Sequence, residues 1–246
     1  MYDTIYRAVT GEARDRAVPR WAADRLGEVA AGRGRVLAVR HPLGFLCLPL
    51  ERAGERGVCV HVWSDHVPHA GATTSTTHAH SWDLLSYVLY GTLRNELVAV
   101  TDEPDGPTHR VCEIESGGDG DEIRRTSRLV RRGGSVTEVH RKGDVYGLPA
   151  GVFHETVPVG ETATVALGLG RPGAVDLALG DLHTESHRTK RQLCDHDETV
   201  YVAGMVVMRL AGSGQRPPGV QPPDPAWGPA SRPPRPREDP CGHSTR

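Results

Sequence analysis

Residues 77–91 read THAHSWDLLSYVLYG, two histidines one residue apart followed by an apolar run that stops at a glycine. In an extended strand residues i and i+2 point to one face, so His78 and His80 project side by side and their imidazoles can share an ion. By itself the pair does not decide the matter, because two solvated histidines on a strand edge would read the same way. A second stretch, residues 143–154, reads GDVYGLPAGVFH. Gly143 and Asp144 suggest a turn, Pro149 to Gly151 a tight bend, and His154 lies just into the strand that follows.

Around these two stretches the chain is a series of short apolar runs punctuated by Gly, Pro and Asp, among them RVLAVRH, GFLCLPL, VCVHVW, LRNELVAV, SVTEVH, ATVALGL and TVYVAGMVVMRL. Many short strands at close spacing, with no long helical pattern between them, describe an all-β antiparallel sandwich or barrel. Residues 101–127 are rich in Gly and Asp and read as a surface loop or hairpin excursion. Between Glu12 and Ala31 the apolar residues recur at roughly helical spacing, which predicts one helix starting near Pro19. Residues 212–246 hold 10 of the 19 prolines and few apolar side chains, so a disordered tail is expected there. The expected division is therefore a helical segment at 1–35, a β domain at 36–211 and a tail at 212–246.

Lys plus Arg number 29 against 31 Asp plus Glu, a net charge of −2 that offers no field for nucleic acid or an anionic membrane. A small-molecule partner is expected instead. The five cysteines are scattered and form no C-x-x-C pair, which argues against a disulfide framework. The first residues lack the apolar core of a signal peptide, and no apolar run approaches a membrane span, so a reducing, cytoplasmic location is expected.

Taken together the two histidine stretches resemble the motifs of the cupin superfamily (RmlC-like proteins). Its first motif runs G, five residues, H-x-H, three or four residues, E, six residues, G; its second runs G, five residues, P-x-G, two residues, H, three residues, N. Gly143, Pro149, Gly151 and His154 match the second, with Pro158 in place of the asparagine; His78, His80 and Gly91 match the first, with Ala72 in place of the opening glycine. The resemblance spans about Val36 to Leu210. It implies a double-stranded β-helix, a jelly-roll-like barrel, in which His78, His80 and His154 converge on a metal across the mouth. Where the family carries its glutamate ligand this chain has Leu84.

Three histidines without a carboxylate are similar to the site of the thiol dioxygenases, which hold Fe(II) in that way. The resemblance thus implies a mononuclear non-haem iron dioxygenase, acting with dioxygen on a small polar molecule such as a thiol or carboxylate. Histidine also suits Zn, Mn or Ni, and the same site could serve an isomerase or lyase, or a cupin that only binds a small molecule. Leu84 stands where the animal cysteine enzymes carry a cysteine crosslinked to tyrosine, so that feature is not expected. Analogy also implies a homodimer formed through barrel edge strands.

Other residues have narrower readings. Asp83 is a rival ligand, an acceptor behind the ligands or a turn residue, since a regular strand would face it away from the histidines. Strand alternation from Leu84 puts Ser86, Val88 and Tyr90 on the inner face, and Tyr90 or Tyr146 could donate a hydrogen bond to a bound molecule. Cys59, His61 and Trp63 share a face that either lines the barrel or covers its outside. Arg40, Arg94 and Arg141 are candidate clamps for a carboxylate. His183, His187, Cys194 and His196 have ligand chemistry, but their spacing reads as a polar loop.

Overall fold

The computed structural model describes residues 1–212 apart from His69, Thr73 and Asp119; the Pro-rich tail from residue 213 onward lies outside the described residues. Two helices come first, α1 (Tyr2–Thr10) and α2 (Arg14–Ala30). Then follow β1 (Val39–His41), β2 (Phe45–Ala53), β3 (Arg56–Trp63), β4 (His78–Ala79), β5 (Trp82–Tyr90), β6 (Thr92–Asp102) and β7 (His109–Ser116). The chain continues through β8 (Gly120–Arg141), β9 (Val145–Leu148), β10 (His154–Pro158), β11 (Thr162–Gly170), β12 (Asp176–Gly180), β13 (His187–Lys190) and β14 (Gln192–Leu193), and ends in α3 (His196–Leu210).

The strands form two seven-stranded antiparallel sheets, ordered β14-β1-β2-β3-β11-β5-β9 and β13-β8-β6-β10-β4-β12-β7. The long strand β8 pairs with β6 along residues 130–141 and with β7 along residues 121–130, so the second sheet closes on itself. Residues 101–127, expected as a loop or hairpin excursion, are this β7–β8 hairpin.

Period-two alternation decides what each strand of the first sheet buries. On β3, Val58, Val60 and Val62 face outward, while Cys59, His61 and Trp63 face the barrel interior. The outward valines, with Leu46, Leu48, Tyr87, Leu89, Val165 and Leu167, make one apolar cluster with Ile5 and Val9 of α1, Leu26 of α2 and Val202 and Val206 of α3. The helices thus form a layer over the outside of the first sheet. Inside the barrel a second cluster gathers Phe45, Trp63, Leu84, Val88, Tyr146 and Leu148.

The helical layer departs from expectation in two ways. Instead of one helix near Pro19 there are two, and α2 begins at Arg14 with Pro19 inside it. α1 is amphipathic, burying Tyr2, Ile5 and Val9 at i, i+3 and i+7. Residues 199–210, expected as a strand from their Thr, Val and Tyr content, are helical. Asp195 caps that helix: its carboxylate accepts from the Glu198 amide at 2.8 Å, and Glu198 Oε2 accepts from the Asp195 amide at 2.7 Å. Packing against the sheet then overrides the weak strand preference of the β-branched residues. Arg40 on β1 forms an ion pair with Glu198, with only 13% and 6% of the two side chains exposed, which ties the sheet edge to the helix start.

Candidate metal centre

β4 is two residues long and lies between β10 and β12, where His78 pairs directly with His154 and with Ala178. The chain leaves the strand at His80, whose carbonyl accepts from the Gly151 amide at 2.9 Å. The Pro149–Gly151 bend is thereby fastened to the H-x-H segment. Gly151 has φ +80°, a conformation that a side chain would strain. Gly91, at the end of the opening stretch, has φ +82°, and a Cβ there would lie 2.3 Å from the Glu161 carbonyl, so no other residue fits the turn.

The three imidazoles meet at the barrel interior. Ring centroids are 4.7 Å apart for His78 and His80, 4.3 Å for His78 and His154 and 5.0 Å for His80 and His154. One nitrogen from each lies within 4.8 Å of the others. The Nδ1 atoms of His78 and His154 contact the carbonyls of Thr76 at 2.9 Å and Val152 at 3.0 Å. A carbonyl only accepts, so Nδ1 carries the proton in both rings and each Nε2 is left with a free lone pair. His80 stacks on Trp82, with ring centroids 4.1 Å apart.

Burial keeps all three rings neutral. Desolvation, with the neighbouring His154 next, lowers the His78 pKa to about 3. Desolvation and His78 push His80 well down, and desolvation lowers His154. Three neutral nitrogen donors on one wall, two of them with orientation held by carbonyls, fit a divalent ion with open positions toward the cavity. The cavity has a volume of about 320 Å³ and is bounded by Phe45, Trp63, Leu84, Tyr146 and the histidines, with Arg52 and Arg56 at its rim.

Two antiparallel sheets, with the H-x-H segment and the P-x-G-x-x-H strand paired at the mouth, match what the sequence resemblance implies. The fold is a jelly-roll-like barrel of two antiparallel sheets. Comparison with protein-family models finds no match, and no curated protein matches either. Solved structures similar to this chain include a cupin superfamily protein from Desulfitobacterium hafniense DCB-2, 12% identical over 52% of this chain and 78% of that one, with a TM-score of 0.30. An RmlC-like cupin from Shewanella frigidimarina NCIMB 400 is 18% identical over 55% of this chain and 85% of that one, with a TM-score of 0.31. The hydroquinone 1,2-dioxygenase PnpCD, solved with Cd2+ and 4-hydroxybenzonitrile, is 16% identical over 66% of this chain and 78% of that one, with a TM-score of 0.32. Scores of this size say nothing of what the chain does, and its architecture rests on the strand pairings.

Within this barrel the remaining candidates separate. Tyr146 lines the cavity at 7% exposure, its hydroxyl faced by Ser86 and Asn95, and burial pushes its pKa up to about 12. Tyr90 does not line it. Val88 is opposite Thr164 and Tyr90 opposite Ala163, so Leu89 is the extra residue of a β-bulge. The bulge inverts the alternation, and Tyr90 packs with the cluster under the helices. Asp83 faces away from the histidines: its carboxylate accepts from the Ala150 amide at 2.9 Å and pairs with Arg171, so it holds the bend before His154.

Arg94 and Arg141 are exposed, and Arg40 is engaged with Glu198 and the Pro68 and Leu193 carbonyls, so none of the three lines the cavity. Cys194 is buried under the helices while His183 and His196 are exposed, so that group does not assemble. Among the described residues no helix is long and apolar enough to cross a membrane. Sequence reasoning missed Cys47, whose place beside Cys59 and His61 depends on the pairing of β2 with β3. Cys47 and Cys59 are buried beside one another, and each acts on the other so that the Cys47 thiol is raised and the Cys59 thiol lowered.

Proposed function

We propose that this cupin is a mononuclear non-haem Fe(II) dioxygenase acting on a small polar molecule that carries a thiol or a carboxylate. The observation that supports the reading is the convergence of three neutral imidazoles, two of them presenting a free Nε2, beside Leu84 rather than a carboxylate. Held by His78, His80 and His154, such an ion would supply open positions for the small molecule and for dioxygen. Iron itself is chosen by resemblance to the three-histidine thiol dioxygenases.

The chain's own residues have distinct tasks in this reading. Phe45, Trp63 and Leu84 exclude water from the reacting end of the cavity. The Tyr146 hydroxyl, with its pKa up at about 12, keeps its proton at neutral pH and would be available to donate a hydrogen bond to a bound molecule. Arg52 at the rim suits a substrate carboxylate. Arg56 is less available, being bound to Asp3 at 2.9 Å.

The test is elemental analysis of protein purified without added metal, alongside His154→Ala, followed by anaerobic Fe(II) titration with nitric oxide as a spectroscopic probe. A loss of near one equivalent of metal from the unaltered protein to His154→Ala, an iron-nitrosyl signal, and oxygen uptake with members of a thiol and small-acid panel would support the proposal. Uptake of iron, zinc, manganese and nickel that His154→Ala leaves unchanged would overturn it. Turnover that needs metal and no oxygen would move the assignment to isomerase or lyase chemistry, and metal binding without any product to a small-molecule-binding cupin.

A further inference from the structure

On the cavity wall formed by β2 and β3, three ligand-bearing side chains converge that the three-histidine centre does not use. Cys59 and His61 are two residues apart on β3 and so share the inner face. Cys47 on β2 is the direct cross-strand partner of His61. The register therefore stacks two thiols and an imidazole on one patch, and one ligand atom from each lies within 4.8 Å of the other two. None of the thiols is in a disulfide.

We propose that Cys47, Cys59 and His61 form a second metal site, distinct from the three histidines, that takes Zn(II). With Zn–S bonds of about 2.3 Å, ligand atoms at the corners of a tetrahedron lie about 3.8 Å apart, so closing on an ion needs adjustments of an ångström or less. The donor set is soft, which favours zinc here over the iron suited to an all-imidazole site. Two thiolates cancel the charge of Zn(II), so the filled site is neutral, as a wall that includes Phe45, Trp63 and Leu84 requires. Phe45 packs on the His61 ring at 4.4 Å and holds it in place. His41, on the other side of Phe45, is not a fourth ligand: its Nδ1 already accepts from the Leu43 amide at 3.3 Å. The fourth position opens to the cavity, where a water or a substrate thiol can enter.

The site does not depend on the proposed oxygenase activity, and its test reads sulfur ligation alone. Full-length protein, reduced and kept anaerobic, is titrated with Co(II) as a spectroscopic substitute for zinc, together with His78→Ala/His154→Ala and Cys47→Ala/Cys59→Ala variants. The proposal predicts a thiolate-to-cobalt charge-transfer band in the near ultraviolet that saturates at one equivalent in the His78→Ala/His154→Ala variant. Zn(II) should abolish the band. It should be missing from Cys47→Ala/Cys59→Ala, whose fold is checked by circular dichroism. A cobalt spectrum without that band in both the unaltered protein and His78→Ala/His154→Ala overturns the proposal, whatever becomes of the cysteine variant. So does a band that persists without the two cysteines.

Discussion

His78 and His154 are direct partners across two antiparallel strands, and each ring is aimed by a hydrogen bond from its Nδ1 to the carbonyl two residues upstream. Two side chains held in the same way act as one unit on anything placed between them. Replacing either by Ala should weaken metal binding by more than the roughly 100-fold that an outer contact is worth, and the double variant should be little worse than each single one. Competition against a chelator of known affinity measures all three. Losses that simply add would show that the two rings bind independently.

Asp83 touches none of the three histidines, yet its carboxylate holds the Ala150 amide in the bend that delivers His154. Asp83→Ala should lower metal affinity at the three histidines about 10-fold, as loss of a positioning contact does, with the stoichiometry at saturation unchanged. Arg171→Ala should change little, because its ion pair with Asp83 lies in solvent, where screening leaves such pairs with little net effect. The same chelator competition separates the two variants.

Tyr146→Phe removes a single buried hydroxyl and leaves the ring in place. Once a substrate is in hand, turnover should fall by about 100-fold while metal content stays that of the unaltered protein. Equal loss of metal and of turnover would assign Tyr146 to packing.

His41 gives the metal-free protein a pH dependence of known sign. Burial, with His61 nearby, holds its pKa at about 4 in the folded chain, against about 6.5 when unfolded. Between those values only the unfolded chain takes up the proton, so this residue lowers stability as pH falls from 6.5 toward 4 and has no effect above that window. His41→Phe should recover up to about 2 kcal/mol at pH 5 and nothing at pH 8, read from urea unfolding of metal-free protein.

The strands were legible in local period-two patterns, whereas the meeting of His78 and His80 with the distant His154 was implied only by the family resemblance that the H-x-H pair and the P-x-G-x-x-H bend carry. What escaped depends on pairings between distant segments. The bulge at Leu89 exists only in the register of β5 against β11, so alternation counted along β5 alone put Tyr90 on the wrong face. Cys47 meets His61 through the register of β2 against β3. α3 is different, for a local signal was present. Asp195 and Glu198 make a capping box ahead of the apolar run, and the β-branched composition outweighed it in the reading.

The double pairing of β8 has a consequence for how the molecule breathes. Because one continuous strand serves β6 with one half and β7 with the other, neither half of the ring can separate without loosening the other. Amide hydrogens across β6, β10, β4 and β12 should therefore exchange with solvent as one cooperative block. His78 and His154 ride on that block, whereas His80 lies just beyond the end of β4. Small adjustments of the centre to a bound molecule would then fall to His80, with the other two imidazoles as fixed reference points.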